Sequence, residues 1–295
     1  MPGTNEKYKD RHPMQTIGRI RNILKELDVI LLEQWLHEVD GCYSLNLVIY
    51  NTPMFSNGKG TTPEYALASA MGELLERMQN FQLKGLRMYL IPELLKYGGF
   101  FFAPDEKLMS INEYLESGGY LLERYTFGAA SAEEKQAVLD KWLIETSIGK
   151  PSHFYSLPFL KISDGSICYI PEIMLQMFYG SNGMCAGNTK EEALVQGISE
   201  VLERYAKLRI IQERLTPPDI PADYLEKFPT VCGMIKNIEE KGNYRITAKD
   251  CSLGESLPVA GIILSDLDAN SYMVVMGAHP HMEIALERCL TEALQ

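Results

Sequence analysis

The chain carries one acidic triplet twice. Glu73, Glu76 and Arg77 form a Glu-x-x-Glu-Arg string, and Glu200, Glu203 and Arg204 form a second. On a helix, residues three apart share a face, and the arginine four places after the first glutamate lies beside it. Two adjacent carboxylates repel each other unless a cation stands between them. Taken singly, such a triplet describes a solvated, ion-paired helix face. Taken twice at matched positions, it offers four hard oxygen donors, which suit Mg²⁺ bound together with substrate phosphates. Arg77 and Arg204 could then meet phosphate oxygens. The residues point to a nucleotide bound through Mg²⁺, with Glu73, Glu76, Glu200 and Glu203 as metal ligands.

The triplets sit inside a longer repeat. SNGKGTTPEYALASAMGELLER (56–77) and SNGMCAGNTKEEALVQGISEVLER (181–204) both open on Ser-Asn-Gly, pass a glycine and a threonine, and run through Ala-Leu to the triplet. A fainter third copy, ALERCLTEALQ (285–295), aligns Glu292 with Glu73 and Glu200. It also aligns Arg288 with Ser69 and Gln196. Each full copy reads as a glycine-rich loop followed by a capped helix. Thr62 with Pro63 is one helix start; Thr189 with Glu192 three residues on makes a capping box. Free backbone N–H groups at such starts favour phosphate or carboxylate.

Other elements must position these helices. The pattern predicts a helix over 17–38, a buried strand over 45–50, and helices over 64–84 and 190–213. Segments 91–98, 110–117 and 131–147 read as helix or loop. Residues 154–171 predict a hairpin turning at Asp164-Gly165. Segments 244–250, 257–266 and 271–279 read as strands feeding the third helix. The fold class is a layered α/β (α+β) arrangement of helices and antiparallel-rich sheets. An internal pseudo-two-fold relates a first lobe of about 1–150 to a second of about 151–295.

Composition narrows the alternatives. The 295 residues hold 28 Lys and Arg against 39 Asp and Glu, a formal charge of −11. That balance repels phosphate backbones and argues against direct nucleic-acid binding. No two of the six cysteines are close enough for a Cys-x-x-Cys pair, and scattered thiols fit a reducing compartment. The polar start MPGTNEKYKDRHP lacks the apolar centre of a signal peptide. Apolar runs are too short for a membrane helix. A cytoplasmic protein is expected. Familiar nucleotide motifs fail: a P-loop ending at Gly58-Lys59 would need glycine at Pro53 and Ser or Thr at Gly60, and a Gly-x-Gly-x-x-Gly would need glycine at Pro63. Lys59 is left as a phosphate contact or a solvated loop lysine.

The strings Ser69-x-x-x-Glu73-x-x-Glu76-Arg77 and Cys185-x6-Glu192-x3-Gln196, the latter followed by Glu200-x-x-Glu203-Arg204, resemble the ATP-binding motifs of YcaO proteins. SNGMCAGNT, VQGISEVLERYAK and IIQERLTPPDIPADYLEKFP are similar to the bacterial YcaO subgroup. The resemblance runs along the whole chain. It implies ATP and Mg²⁺ as cofactors, with Glu292 joining the four metal-binding glutamates. It implies nucleotide contacts from Lys9, Thr16, Ser69, Cys185, Asn188, Glu192 and Gln196, and phosphate contacts from Arg77, Arg204 and Arg288. In relatives that make azolines, amidines or thioamides, ATP phosphorylates an amide oxygen before a nucleophile adds. The subgroup implies an accessory role in ribosomal-protein β-methylthiolation beside a RimO-type methylthiotransferase, and a homodimer. Peptide cyclodehydration or thioamidation and a non-catalytic partner-binding protein are the rival readings. Cys185 and Thr16 stand where the family has serine. The subgroup carries a further helical-repeat region, so a carboxy-terminal domain is expected to be absent from this chain.

Overall fold

A computed structural model describes residues 8–52, 54–80, 105–117, 131–145, 153–175 and 180–294. The chain divides into two compact units. One joins Met1–Gln79 to Asn182–Gln295; the other is Asn80–Ser181. Both Glu-x-x-Glu-Arg strings lie in the first unit.

In the first unit, α1 (Pro13–Glu26) opens with proline in its first turn and buries Ile17, Ile20 and Leu24 along one stripe. It stops well short of residue 38. Asp28 adopts φ 53, and the Val29 N–H returns to the Leu24 carbonyl at 2.9 Å, which closes the helix. The chain then extends into β1 (Leu31–Val39). The expected 17–38 helix is thus a helix followed by a strand. Pairing with β2 (Cys42–Ile49) across the Asp40-Gly41 turn captures LLEQWLHEV in the sheet.

A second correction concerns the first glycine-rich segment. It is strand β3 (Phe55–Gly60), antiparallel to β2. Its glycines serve close packing. A Cβ on Gly58 would fall 2.2 Å from the Ala66 carbonyl oxygen, and one on Gly60 2.4 Å from the Ala66 nitrogen. Only glycine lets the strand approach α2 (Pro63–Gln79) this closely. α2 begins as expected, with Thr62 Oγ1 accepting from the Tyr65 N–H at 3.3 Å.

The second unit holds β4 (Lys107–Ser110), α3 (Ile111–Glu116), α4 (Ala132–Glu145), β5 (His153–Leu160) and β6 (Ile167–Pro171). The three strands form an antiparallel sheet in that order. Ser110 and Glu113 make a reciprocal capping box at α3. The β5–β6 hairpin turns at Asp164-Gly165 as expected, with Asp164 accepting from the Ser166 N–H. Residues 91–98 lie outside the described residues.

Back in the first unit, α5 (Lys190–Glu213) spans the expected range. After α6 (Pro229–Lys241), strands β7 (Tyr244–Asp250), β8 (Val259–Asp266) and β9 (Ser271–Ala278) form a third antiparallel sheet. α7 (Met282–Ala293) follows. Val231, Met234 and Ile238 of α6 join Ile262 and Leu264 of β8 and Leu286 and Leu290 of α7 in one core cluster. These burials, at roughly 1.5–3 kcal/mol per large side chain, fix α7 on its sheet. The fold is therefore mixed helix and antiparallel sheet, as the pattern predicts.

Candidate functional site

α2 brings Glu73, Glu76 and Arg77 onto one side. Arg77 donates Nη1 to Glu76 at 2.7 Å and Nη2 to Glu73 at 3.3 Å. It also reaches Met184 Sδ at 3.7 Å. Gly72 faces the Ala186 methyl, so α2 lies directly against the 183–186 segment that precedes α5. That segment in turn binds α5: the Gly183 N–H donates to Glu200 Oε2 at 3.3 Å. Arg204 pairs with Glu200 at 3.6 Å. Burial pushes the Glu76 carboxyl up to about 7, against the pull of Arg77; the charges of Glu73 and Glu200 add to the rise. Burial also raises Glu203, opposed by Arg288 and Arg204. The acids of the two helices therefore act on one another.

The start of α5 is tied to the start of the chain. Thr189 Oγ1 accepts from the Glu192 N–H at 3.2 Å, so the N-cap is present. The Glu192 carboxylate is engaged elsewhere than in a capping box. It accepts from Asn188 Nδ2 at 3.1 and 3.3 Å and from the Asp10 N–H at 3.1 Å, and it pairs with Lys9 at 3.3 Å. Thr16 donates to Asn188 Oδ1 at 2.7 Å, and Thr189 Oγ1 donates to Asp10. Lys9, Thr16, Asn188 and Glu192 are thus one hydrogen-bonded group. Asp10 belongs to it as well, and no spacing in the sequence marks it.

α7 supplies the third side. Arg288 donates Nη1 to Gln196 Oε1 at 2.8 Å. Glu292 pairs with Lys59 of β3. Burial and the Arg288 charge push Lys59 down to about 8, against Glu73 and Glu203. His279, buried beside the Tyr8 ring at 4.7 Å between centroids, is pushed down to about 4 by burial and Arg288. Tyr8 is marked by no motif.

Two expected residues stand apart from these networks. Ser69 is exposed one turn before Glu73. Cys185 packs on Gly197, where an added Cβ would lie 3.0 Å from its sulfur. Burial raises the Cys185 thiol above its usual value. Among the described residues, no three metal-ligating side chains form a ready-made cage. Glu73 and Glu76 are turned to Arg77, Glu200 to Arg204 and Glu292 to Lys59. The donor chemistry still fits Mg²⁺, which takes one or two carboxylates and completes its octahedron with phosphate oxygens and water. A cleft of about 380 Å³ between α1 and β1 is lined by Leu24, Leu31 and the Arg21–Glu33 ion pair and contains none of the expected residues.

Carboxylates, arginines and a lysine from three helices and a strand thus lie in one unit, and their chemistry suits a metal-chelated polyphosphate. Comparison with known proteins agrees. Residues 57–295 match the family described as "YcaO cyclodehydratase, ATP-ad Mg2+-binding". The ribosomal protein S12 methylthiotransferase accessory factor YcaO of Escherichia coli is 36% identical over 298 residues, covering 100% of this chain and 49% of that protein. An uncharacterized protein of Haemophilus influenzae is 35% identical over 295 residues, covering 97% of this chain and 49% of its own length. A heterocyclase solved with substrate and cofactor has the same fold at TM-score 0.69 and 19% identity, over 98% of this chain and 40% of that one. YcaO from Methanopyrus kandleri, solved with AMPPCP and Mg²⁺, matches at TM-score 0.58 and 18% identity, over 97% and 67%. The chain belongs to the YcaO family, an ATP- and Mg²⁺-binding family. It spans about half the length of the curated relatives it matches.

Proposed function

We propose that this chain is the ATP- and Mg²⁺-binding core of an accessory factor for ribosomal-protein β-methylthiolation, working beside a radical methylthiotransferase. Support for the role is the E. coli relative, which is named as such a factor and aligned over this whole chain. Support for the site is the approach of the two Glu-x-x-Glu-Arg helices, in which the Glu200 charge is felt at the buried Glu76 carboxyl. In this reading Glu73, Glu76, Glu200, Glu203 and Glu292 hold Mg²⁺. Arg77, Arg204 and Arg288 face phosphates. Lys9, Thr16, Asn188, Glu192 and Gln196 contact the nucleotide, and Ser69 and Cys185 line it.

Bound ATP would supply an activated phosphoryl group. The chain's own part is positioning and charge stabilisation, with arginines fixed by glutamates and by Gln196 before the nucleotide arrives. Calorimetry with Mg²⁺ and ATP on the wild type and on Glu200→Ala tests the site. We expect the variant to bind at least tenfold more weakly; equal affinities would overturn the assignment. Phosphate release that appears only with a peptide substrate would move the reading to amide activation. No release under any condition would move it to a partner-binding role.

A further inference from the structure

Resting on that reading of the site, we propose that Asp10 is a positioning residue for the nucleotide, one that holds Lys9 and Glu192 where the ligand will meet them. The hydrogen bonds around Asp10 close a ring. The Glu192 N–H donates to Thr189 Oγ1 at 3.2 Å, Thr189 Oγ1 donates in turn to the Asp10 carboxylate, and the Asp10 N–H donates to Glu192 Oε2 at 3.1 Å. A threonine hydroxyl has one proton to give, and Thr189 gives it to Asp10. In an ordinary capping box the glutamate would reach back to the N–H of its own cap residue. Here the N–H comes from Asp10, 182 residues away. The box therefore closes between two distant segments, and Asp10 is the member that closes it.

The neighbours of the ring are fixed by it. The Glu192 side chain is 7% exposed, and its two oxygens take donors from Lys9, Asn188 and Asp10. The Lys9 ammonium lies 3.3 Å from that carboxylate and 5.3 Å from the centroid of the Tyr8 ring. Tyr8 takes φ 61, a left-handed conformation that is costly with a Cβ present and persists where the surroundings impose it. The next two residues supply those surroundings through their contacts with α5. Released from α5, this segment would regain its conformational freedom, and a nucleotide binding there would have to order it again. Removing the Asp10 carboxylate leaves the Asp10 N–H in place but takes away the bond that aims it at Glu192.

The test is calorimetry with Mg²⁺ and a non-hydrolysable ATP analogue on wild type, Asp10→Ala, Asp10→Asn, Glu192→Ala, the Asp10→Ala/Glu192→Ala pair and Glu200→Ala. Loss of one charge-assisted hydrogen bond predicts a roughly tenfold weakening in Asp10→Ala. Asp10→Asn keeps an oxygen for the Thr189 hydroxyl and should restore most of the affinity, which excludes misfolding as the cause. With Glu192 already truncated the ring is open, so adding Asp10→Ala should weaken binding by less than about threefold. The same tenfold loss in both backgrounds would make Asp10 a structural residue independent of the site and overturn the proposal. Asp10→Asn as weak as Asp10→Ala would overturn it too, because the Asp10 charge would then act on the ligand directly. Wild-type affinity in Asp10→Ala, with Glu200→Ala impaired, would overturn this inference alone. If Glu200→Ala also binds as the wild type, the site reading itself fails, and this inference fails with it.

Discussion

Arg288 of α7 crosses to α5 and donates to the side-chain oxygen of Gln196, 92 residues away in sequence, at 2.8 Å. A charged donor on a neutral amide acceptor fixes the guanidinium, whose charge also acts on Glu203.

A double-mutant cycle measures that link. Arg288→Ala and Gln196→Ala should each destabilise the protein, and the pair should show a coupling of about 1 kcal/mol in chemical denaturation. Strict additivity would mean the two groups do not hold each other in solution.

Stability should depend on pH through Glu76. Its carboxyl titrates at about 7 in the folded protein, against an ordinary value of 4.5. The folded state therefore binds more protons than the unfolded state between these values. Stability then falls as pH rises through that window, with the full loss present above 7. The loss would be up to about 3 kcal/mol. Glu76→Gln should flatten the slope between pH 4.5 and 7, as should saturating Mg²⁺ and nucleotide. A rise in wild-type stability over that range would contradict the burial of Glu76.

The glycines predict opposite outcomes at different sites. Gly58→Ala and Gly187→Ala place a Cβ 2.2 and 2.4 Å from helix backbone. Each should cost at least 1–3 kcal/mol, as overpacking does. Gly18→Ala, inside α1 with nothing within 4 Å, should stabilise by about 0.5–1 kcal/mol through helix propensity. Thermal melts of the three variants decide this.

Thiol reactivity follows burial. Cys42, Cys251 and Cys289 are buried, whereas Cys168, Cys185 and Cys232 are partly accessible. Burial pushes Cys42 up to about 12 and Cys251 to about 11. Iodoacetamide at neutral pH should modify only the second group in the native protein. Mass spectrometry finding Cys289 labelled as fast as Cys232 would refute the packing of α7 on its sheet.

What could be read from the sequence was local and repeated. The limits of α5 follow from Thr189 at one end and periodic apolar residues through Ile211. The β5–β6 turn follows from Asp164-Gly165, because that dipeptide encodes the turn itself. The end of α1 was missed because LLEQWLHEV carries apolar residues at spacings that serve helix or strand. The decision lies with β2, a tertiary partner that local periodicity does not contain. The same holds for SNGKG, where glycine content suggests a loop and contact with Ala66 and Ala70 makes a strand. The motif glutamates were legible as chemistry. Asp10 and Tyr8 were not, since each gains its place only when distant segments meet.

The latch between Asp10 and Thr189, with Lys9 on Glu192 and Thr16 on Asn188, carries a consequence for biogenesis. These contacts join residues 9–16 to residues 188–192. During synthesis the early residues leave the ribosome long before their partners exist, and such distant closures are slow to form. The nascent chain therefore holds Lys9, Asp10 and Thr16 without these partners until the start of α5 emerges. A fusion placed ahead of Tyr8 would therefore be felt at the start of α5, far from where it was attached in the chain.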